Sequence, residues 1–220
     1  LGQGEQGRVN SGTSSEGVAG RTKPSIPAGD AVSTSENKFQ SFYVPRSSRK
    51  DKDILIPVNM QQPLQDALSV IEDDVGDIDE FVRSELGYET TEQLHDALMG
   101  LQVDSVAAAI YQIRKNKAIV IADQTGIGKG RQAASIIRWA KRQGRIPVFV
   151  SAKPQLFTDM FDELNNIGSN DITPFLMNSD ASISSATGEK LFSNKGGHKA
   201  TLQSIADSGS LPDGKNAIFM

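Results

Sequence analysis

Apolar positions after residue 101 alternate between the spacing of a helix and the continuous runs of a buried strand. The segment 102–116 (QVDSVAAAIYQIRKN) keeps its apolar residues on one helical face. The next run, 118–123 (AIVIAD), is short, apolar and β-branched, which predicts a strand buried on both sides. Helical spacing returns in 131–144 and in 156–164. The two clearest helical faces carry Val103, Val106, Ala107, Ile110 and Ile113, and then Phe157, Met160, Phe161 and Leu164.

Three more apolar runs, at 146–152 (IPVFVSA), 172–178 (ITPFLMN) and 217–220 (AIFM), predict further strands. A polar stretch rich in Ser, Gly and Asn, 178–199, predicts a loop or insertion. Strands that alternate with helices indicate the α/β class, with a parallel sheet and right-handed crossovers. In such sheets a ligand sits at the carboxyl ends of the strands, which is where residues 123–129 fall.

The chain before residue 101 has a different character. Residues 1–37 hold Gly, Ser, Thr, Pro and charge without an aromatic residue, which predicts a disordered tail. The following part, 38–100, contains an extended segment and three short helices, the first of which is predicted to start at Pro63. We therefore divide the chain into 1–37, 38–100 and 101–220. The second and third helices carry capping-box pairs, Asp77 with Glu80 and Thr90 with Gln93, and stop at Gly87 and Gly100.

Composition excludes several classes of function. The chain has 220 residues, 37% of them apolar, and no cysteine, which excludes disulfides, cysteine zinc sites and thiol catalysis. Its two histidines, His95 and His198, have no metal-ligand spacing, and EDDVGDIDE (72–80) lacks the ligand pattern of a calcium loop. No apolar run approaches the roughly 20 residues that cross a bilayer. We expect a soluble, cytoplasmic protein without membrane association.

Charge is segregated along the chain. Residues 51–100 carry two basic and 13 acidic side chains, whereas 101–150 carry nine basic and two acidic ones. The basic block contains a glycine-rich turn, which favours a polyphosphate or nucleic-acid ligand. For Arg138, Lys141, Arg142 and Arg145 taken alone, a solvated basic helix face is the favoured interpretation.

The turn ADQTGIGKG, 122–130, lies between the predicted strand and the predicted helix that follows it. Glycines let a backbone turn tightly and bring its N–H groups to phosphate oxygens at the positive end of a helix. Lysine adds a point charge there, although it opposes the dipole of the helix in a purely structural turn. This context predicts a phosphate-binding loop. The strict pattern G-x-x-x-x-G-K-[ST] nevertheless fails twice, at Asp123 and at Gly130.

These two departures resemble a known variant of the loop. ADQTGIGKG is similar to motif I of superfamily 2 helicases and Swi/Snf-type remodellers, where an acidic residue also replaces the first glycine. Gly-Lys-Gly-Arg, 128–131, resembles the strawberry notch family more closely, including its phage and plasmid antirestriction relatives with helicase-like and methyltransferase regions. The resemblance covers about Tyr43 to Met220. It implies a partial RecA-like P-loop domain that binds ATP and Mg²⁺ and hydrolyses ATP in a nucleic-acid-dependent way, on DNA for preference.

The resemblance also implies roles for individual residues. Gln102, 27 residues before Lys129, resembles the glutamine that reads the adenine edge, although a glutamine there can also be a plain surface residue. Ser151 and Lys153 resemble residues that touch a nucleic-acid backbone, and an ordinary strand-to-helix loop explains them nearly as well. Lys129 is the catalytic candidate. The nucleotide-binding candidates are Gln102, Asp123, Gln124, Thr125, Gly126, Ile127, Gly128, Lys129, Gly130 and Arg131.

The metal site is incomplete in this sequence. Gly130 removes the hydroxyl that helps hold Mg²⁺ in a P-loop, Thr125 offers a compensating hydroxyl, and Arg131 faces either a phosphate or solvent. The Asp-Glu pairs at 79–80 and 162–163 do not follow buried strands, so we name no metal ligand. We expect the acidic strand end and a second lobe beyond Met220, in a larger polypeptide of which this chain is an N-terminal fragment with weak activity alone.

Two other functions stay open. The first is a non-catalytic nucleotide-binding scaffold, such as a virion or regulatory component, which Gly130 and the long tail favour. The second is a small-molecule kinase, which is disfavoured by the altered loop and by the lack of a visible acceptor site.

Overall fold

The computed structural model describes residues 39–49, 53–123, 126–178, 181–185, 187–193 and 198–220. The predicted disordered tail, 1–37, lies outside the described residues, as do the loop candidates Gln124 and Thr125. The described chain opens with an antiparallel hairpin in which β1 (Gln40–Phe42) pairs with β2 (Leu55–Pro57).

Four helices follow the hairpin. Helix α1 (Val58–Val75) begins directly after β2, so the predicted start at Pro63 is wrong by five residues. Pro63 therefore lies inside the helix, past the first turn, where its missing N–H removes the bond to the carbonyl of Asn59. Helices α2 (Ile78–Leu86) and α3 (Thr91–Ala97) begin at their predicted caps: the Asp77 carboxylate accepts the Glu80 N–H at 2.8 Å, and the Thr90 hydroxyl accepts the Gln93 N–H at 3.3 Å. Helix α4 spans Gly100–Arg114.

The α/β class is confirmed by a parallel sheet flanked by helices. Its strands are β3 (Val148–Phe149), β4 (Pro174–Leu176) and β7 (Ala217–Phe219), in the spatial order β3-β7-β4. Central β7 is buried throughout, whereas β3 forms an edge where Val148 is 51% exposed, so the predicted burial of 146–152 is only partly met. Helices α5 (Lys129–Arg142) and α6 (Leu156–Asn166) pack against each other beside this sheet.

Two predictions of secondary structure are wrong. The stretch 178–199, predicted as a loop, contains an antiparallel hairpin of β5 (Ser182–Ser184) and β6 (Lys190–Ser193), and α7 (His198–Ser208) begins at its end. Segment 118–123, predicted as a doubly buried strand, is not a strand: in the described part of the chain, no backbone hydrogen bond joins 118–122 to another segment. Val120 is 87% exposed. Without a paired neighbour, apolar β-branched composition does not make a strand.

One hydrophobic cluster joins the helices before residue 115 to those that flank the sheet. The predicted apolar faces of α4 and α6 are buried in it, although Ile113 is only partly buried. The largest fully buried side chains are Ile78, Leu86, Leu94, Leu98, Ile110, Trp139, Phe157, Leu164, Ile167, Ile172, Ile183 and Phe219.

Candidate functional site

The glycine loop leads into the N-terminus of α5. Gly126 and Gly128 adopt φ values of 94° and 78°, which glycine reaches without the steric cost of a Cβ atom. Gly128 is the N-cap of α5, and it is followed at once by Lys129 in the first helical turn. The N–H groups at the start of a helix point along its axis towards the loop, and with the helix dipole they favour an anion there.

Lys129 and Asp123 meet across the loop. The Lys129 Nζ donates a hydrogen bond to the Asp123 carbonyl oxygen at 2.8 Å. The lysine is exposed, so its ammonium lies at the surface of the loop. The two predicted site residues are therefore brought together, with the lysine bonded to loop backbone.

The Asp123 carboxylate has a separate partner in α5. The Gln132 Nε2 donates to the Asp123 Oδ2 at 2.7 Å, and the Gln132 side chain is fully buried. The other amide atom, Oε1, has no hydrogen-bond partner among the described residues. Sequence reasoning missed Gln132. The available signal was an amide three residues after Lys129, followed directly by Ala133 and Ala134.

Gln102 lies behind the loop. It is 2% exposed, its Oε1 accepts the Met99 N–H at 3.0 Å, and its Nε2 donates to the Ile127 carbonyl at 2.8 Å. The amide thus caps α4 and braces the glycine loop at the same time. A Cβ atom at Gly128 would lie 2.4 Å from the Gln102 Nε2, so any other residue at this position would displace the Gln102 amide. The adenine role of Gln102 stays a prediction.

Arg131 points towards neighbouring helices. Its Nε pairs with the Glu163 Oε2 at 3.0 Å, and its Nη1 donates to the Ala97 carbonyl at 3.4 Å. The side chain, which is 31% exposed, therefore ties α5 to α6 and to the end of α3. A contact of Arg131 with phosphate stays a prediction. Gly130, next to it, lies against Glu163 as well.

An apolar cavity of about 410 Å³ borders the loop. It lies between the β1–β2 hairpin, α1, α4 and the extended segment 119–123, and Ile127 of the loop contributes to its wall. Most of its lining is aliphatic. Its polar side chains include Tyr43, Asp104 and Asp123.

Tyr43 and Asp104 form a buried polar pair at this cavity. The Tyr43 hydroxyl donates to Asp104 at 2.5 Å, and the backbone N–H groups of Arg46 and Ser47 donate to the same carboxylate at 2.9 and 3.0 Å. Burial raises the pKa of Asp104, although these hydrogen bonds lower it in part. Burial, with the nearby Asp104 charge, also raises the pKa of the Tyr43 phenol. The carboxylate fastens the segment after β1 onto α4.

The four basic side chains of residues 138–145, at the C-terminal end of α5 and just after it, contact other parts of the protein. Arg138 donates to the carbonyls of Leu86 and Ile167, and Lys141 pairs with Asp171. The remaining two also have partners, because the Arg142 Nε donates to the Glu85 carbonyl and Arg145 lies over the Trp139 ring. Arg142 and Arg145 are exposed, as a solvated basic face implies, whereas Arg138 and Lys141 are partly buried in contacts with other parts of the protein.

Ser151 and Lys153 follow the carboxyl end of β3. The Lys153 N–H donates to the Ser151 Oγ at 3.3 Å, and the Lys153 side chain is exposed. Their predicted contact with nucleic acid stays a prediction. Within the described ranges, no three acidic, histidine or cysteine side chains converge as a metal site would require. None of the described helices has the length and apolarity that crossing a membrane demands.

Comparison with known proteins places this loop in a family. The model of the family described as P-loop containing NTP hydrolase pore-1 matches residues 79–197, just over half of the chain. The match contains Gln102, the glycine loop, α5 and α6. No curated protein and no solved structure shows significant similarity to the chain. From its glycine loop and this match, the chain belongs to the P-loop containing NTP hydrolase pore-1 family.

Proposed function

We propose that the chain is the ATP-binding part of a nucleic-acid-dependent ATPase of the helicase or translocase type, similar to superfamily 2 and to the strawberry notch family. The observation that carries this proposal is the position of Lys129, which opens α5 directly after the left-handed Gly128. The ammonium and the N–H groups of the first helical turn converge on the same loop. That combination suits the β and γ phosphates of a nucleoside triphosphate.

Binding of a triphosphate would exchange one partner of Lys129 for another. The ammonium now donates to the Asp123 carbonyl at 2.8 Å, within the loop itself. A phosphate oxygen carries more negative charge than a carbonyl, so it competes well for the same donor. Asp123, fixed to α5 through Gln132, keeps the start of the loop in place during this exchange.

Gln102 supports adenine as the base. Its amide lies against the loop through Ile127, so a change in its partners is transmitted to the phosphate site. An amide can match the N6 and N7 atoms of adenine with one acceptor and one donor. Reading adenine would require the amide to give up its bond to the Met99 N–H or to Ile127.

Mg²⁺ would accompany the triphosphate, where it neutralises phosphate charge during hydrolysis. Mg²⁺ is a hard cation that prefers oxygen ligands, and Asp123 in the loop and Glu163 beside Gly130 each carry a carboxylate. For the nucleic acid we propose DNA, contacted through the exposed loop with Ser151 and Lys153 at the carboxyl end of β3. The phage or plasmid antirestriction setting belongs to the same proposal.

Replacing Lys129 tests the proposal. We expect Lys129→Ala to weaken binding of a fluorescent ATP analogue to the 220-residue chain at least about tenfold, because a charge-assisted contact to phosphate is lost. Lys117→Ala, which removes an exposed lysine outside the loop, serves as the matched control. Hydrolysis is measured with and without single-stranded DNA. Equal nucleotide affinity of wild type and Lys129→Ala would refute the nucleotide site.

A nucleotide-binding scaffold without turnover is the second candidate, and Gly130 favours it because the P-loop hydroxyl is absent. The two functions differ in one measurement. DNA-stimulated ATP hydrolysis by a form of the protein extended past Met220, if it disappears in Lys129→Ala, excludes the scaffold. Tight nucleotide binding by the same extended form without any turnover excludes the translocase.

A further inference from the structure

Gly130 occupies the position where the strict P-loop pattern has Ser or Thr. In P-loop NTPases the hydroxyl at this position helps to hold Mg²⁺ beside the phosphates. The direction in which a side chain would leave Gly130 therefore shows where a replacement ligand has to lie. Among the described residues, the three nearest atoms in that direction belong to a single side chain.

That side chain is Glu163 of α6. From the position of a Cβ atom built on Gly130, the nearest atoms are the Glu163 Cγ at 3.4 Å, its Oε1 at 3.9 Å and its Cδ at 4.0 Å. These are ordinary contact distances, so the glycine is not forced by a clash. Instead, the carboxylate lies beside the position that a P-loop hydroxyl would otherwise take.

The carboxylate is held in a defined orientation. Its Oε2 accepts from the Arg131 Nε at 3.0 Å, and Arg131 is itself bonded to the Ala97 carbonyl. The Glu163 side chain is 30% exposed, so it is accessible to solvent without being loose on the surface. Oxygen ligands with a partner that fixes their orientation are typical of metal sites, and Mg²⁺ keeps several of its waters in such sites.

We infer that the Glu163 carboxylate takes over the role of the missing hydroxyl and holds the Mg²⁺ of the bound nucleotide on the Gly130 side, by accepting a hydrogen bond from a metal-bound water. The inference rests on the proposed nucleotide site. A site with this carboxylate differs from an ordinary P-loop site in how strongly nucleotide affinity depends on Mg²⁺. A carboxylate repels phosphates when no metal is present, whereas a hydroxyl does not, so nucleotide affinity depends more steeply on Mg²⁺.

The experiment compares nucleotide affinity with Mg²⁺ and with EDTA, using a fluorescent ADP derivative and the 220-residue chain. For Glu163→Gln we expect the enhancement by Mg²⁺ to fall by about tenfold, while affinity in EDTA is equal to or higher than that of wild type. Asp162→Asn, at an exposed neighbouring position of α6, is the matched control and keeps the wild-type enhancement. In the Glu163→Gln background, Gly130→Thr should restore part of it.

A second measurement detects metal binding directly and does not depend on ATP hydrolysis. Electron paramagnetic resonance of Mn²⁺ counts the metal bound in the presence of ADP, and we expect Glu163→Gln to need about tenfold more Mn²⁺ for half saturation. Circular dichroism confirms that each variant is folded.

Three results would overturn the inference, and they are distinguishable. An unchanged Mg²⁺ enhancement in Glu163→Gln shows that the carboxylate does not serve the metal. An equal loss of affinity with Mg²⁺ and with EDTA assigns Glu163 to the support of Arg131 alone. If the wild-type chain binds no nucleotide under either condition, the proposed function fails together with the inference.

Discussion

Asp123, which replaces the first glycine of the strict phosphate-binding pattern, has a structural role in the loop. Where the strict pattern has glycine, the Asp123 carboxylate accepts from Gln132 and its carbonyl accepts from Lys129. The start of the loop is thus tied to the first turn of α5 by two hydrogen bonds. A glycine at this position could offer only the carbonyl. Asp123 therefore has less backbone freedom than a glycine would have, and it holds the loop in a defined conformation.

Gln132→Leu should weaken nucleotide binding without lowering the free energy of unfolding. The Gln132 Oε1 is buried without a partner, which costs about 1–3 kcal/mol, so a leucine of similar size leaves the free energy of unfolding nearly unchanged or raises it. The same change leaves the Asp123 carboxylate without its donor, and we expect about tenfold weaker nucleotide binding. Urea unfolding and fluorescent nucleotide titration measure the two effects.

Gln143→Leu, at the exposed end of α5, is the matched control for that prediction. It should change neither quantity appreciably. Weaker nucleotide binding by Gln132→Leu that is accompanied by an equal loss of stability would contradict a specific role at the loop.

Asp104 gives a pH-dependent prediction. Burial raises its pKa, so the folded chain binds this proton more tightly than the unfolded chain does. The free energy of unfolding therefore falls as pH rises from the usual carboxyl range through the raised pKa, and becomes constant above it. The pKa of Asp79 is lowered instead: burial alone would raise it, but hydrogen bonds from Ser47, Ser48 and His95 outweigh burial. The stability that Asp79 contributes is therefore present above the usual carboxyl pKa and is lost as pH falls below it.

Asp104→Asn isolates the Asp104 contribution. Asparagine accepts through one oxygen only, so it loses at least one of the three bonds and costs about 1–3 kcal/mol at pH 4. The difference between wild type and Asp104→Asn should narrow as pH rises, because wild type alone loses stability by ionisation. Urea unfolding of both proteins from pH 4 to pH 8 measures this difference in the free energy of unfolding. A difference that widens with pH contradicts the assignment.

At the scale of elements, α5 begins and ends at left-handed glycines in different surroundings. Gly128 before the helix has φ 78° and lies against the Gln102 amide, whereas Gly144 after it has φ 68° and open space around its Cβ position. Gly144→Ala should cost about 1–2 kcal/mol for the backbone conformation alone. Gly128→Ala adds the loss of the Gln102 bond to Ile127, about 1 kcal/mol more.

The two alanine variants differ more strongly in function. Gly128→Ala should abolish measurable nucleotide binding because the loop is displaced, while Gly144→Ala should bind as wild type does. Removing the obstructing amide in Gly128→Ala with Gln102→Ala should recover part of the stability, measured by thermal unfolding. No recovery in the double variant would show that the amide is not the cause.

Helices could be predicted from this sequence better than strands, and the reason is local. The faces of α4 and α6 and the caps at Asp77 and Thr90 depend on residues within a few positions of one another. Segment 118–123 has the composition of a buried strand, yet its state depends on a distant pairing partner. Its composition alone could not show whether that partner is present.

The same reasoning applies to the candidate site. The loop from Asp123 to Gly130 could be predicted because its residues are contiguous in the sequence. Gln132 and Glu163 were missed because their roles arise from where α5 and α6 pack. For Arg131, the sequence left open phosphate or solvent, and it could not show the pair with Glu163, because that pair depends on the packing of α5 against α6.

At the scale of the whole molecule, the helices before residue 115 and the α/β part share one core. Residues 37–220 form one compact unit. The Tyr88 hydroxyl donates to the Ile167 carbonyl at 2.9 Å, and the Arg138 Nε donates to the Leu86 carbonyl at 2.7 Å, so polar contacts cross between the two regions as well. The predicted boundary at residue 100 stays a prediction, but such contacts favour cooperative unfolding across it.

Leu164→Ala tests that cooperativity. Leu164 is fully buried between α5 and α6, and its truncation should cost about 2–5 kcal/mol, whereas Leu156→Ala at an exposed position of the same helix should cost much less. Trp139, the only tryptophan, is buried in the shared core and donates to Glu85 of α2, so its fluorescence reports on both regions. Circular dichroism follows all helices. If the regions unfold together, Leu164→Ala shifts the urea midpoints of both signals by the same amount; separate midpoints would mean that the helical region before residue 101 is stable by itself.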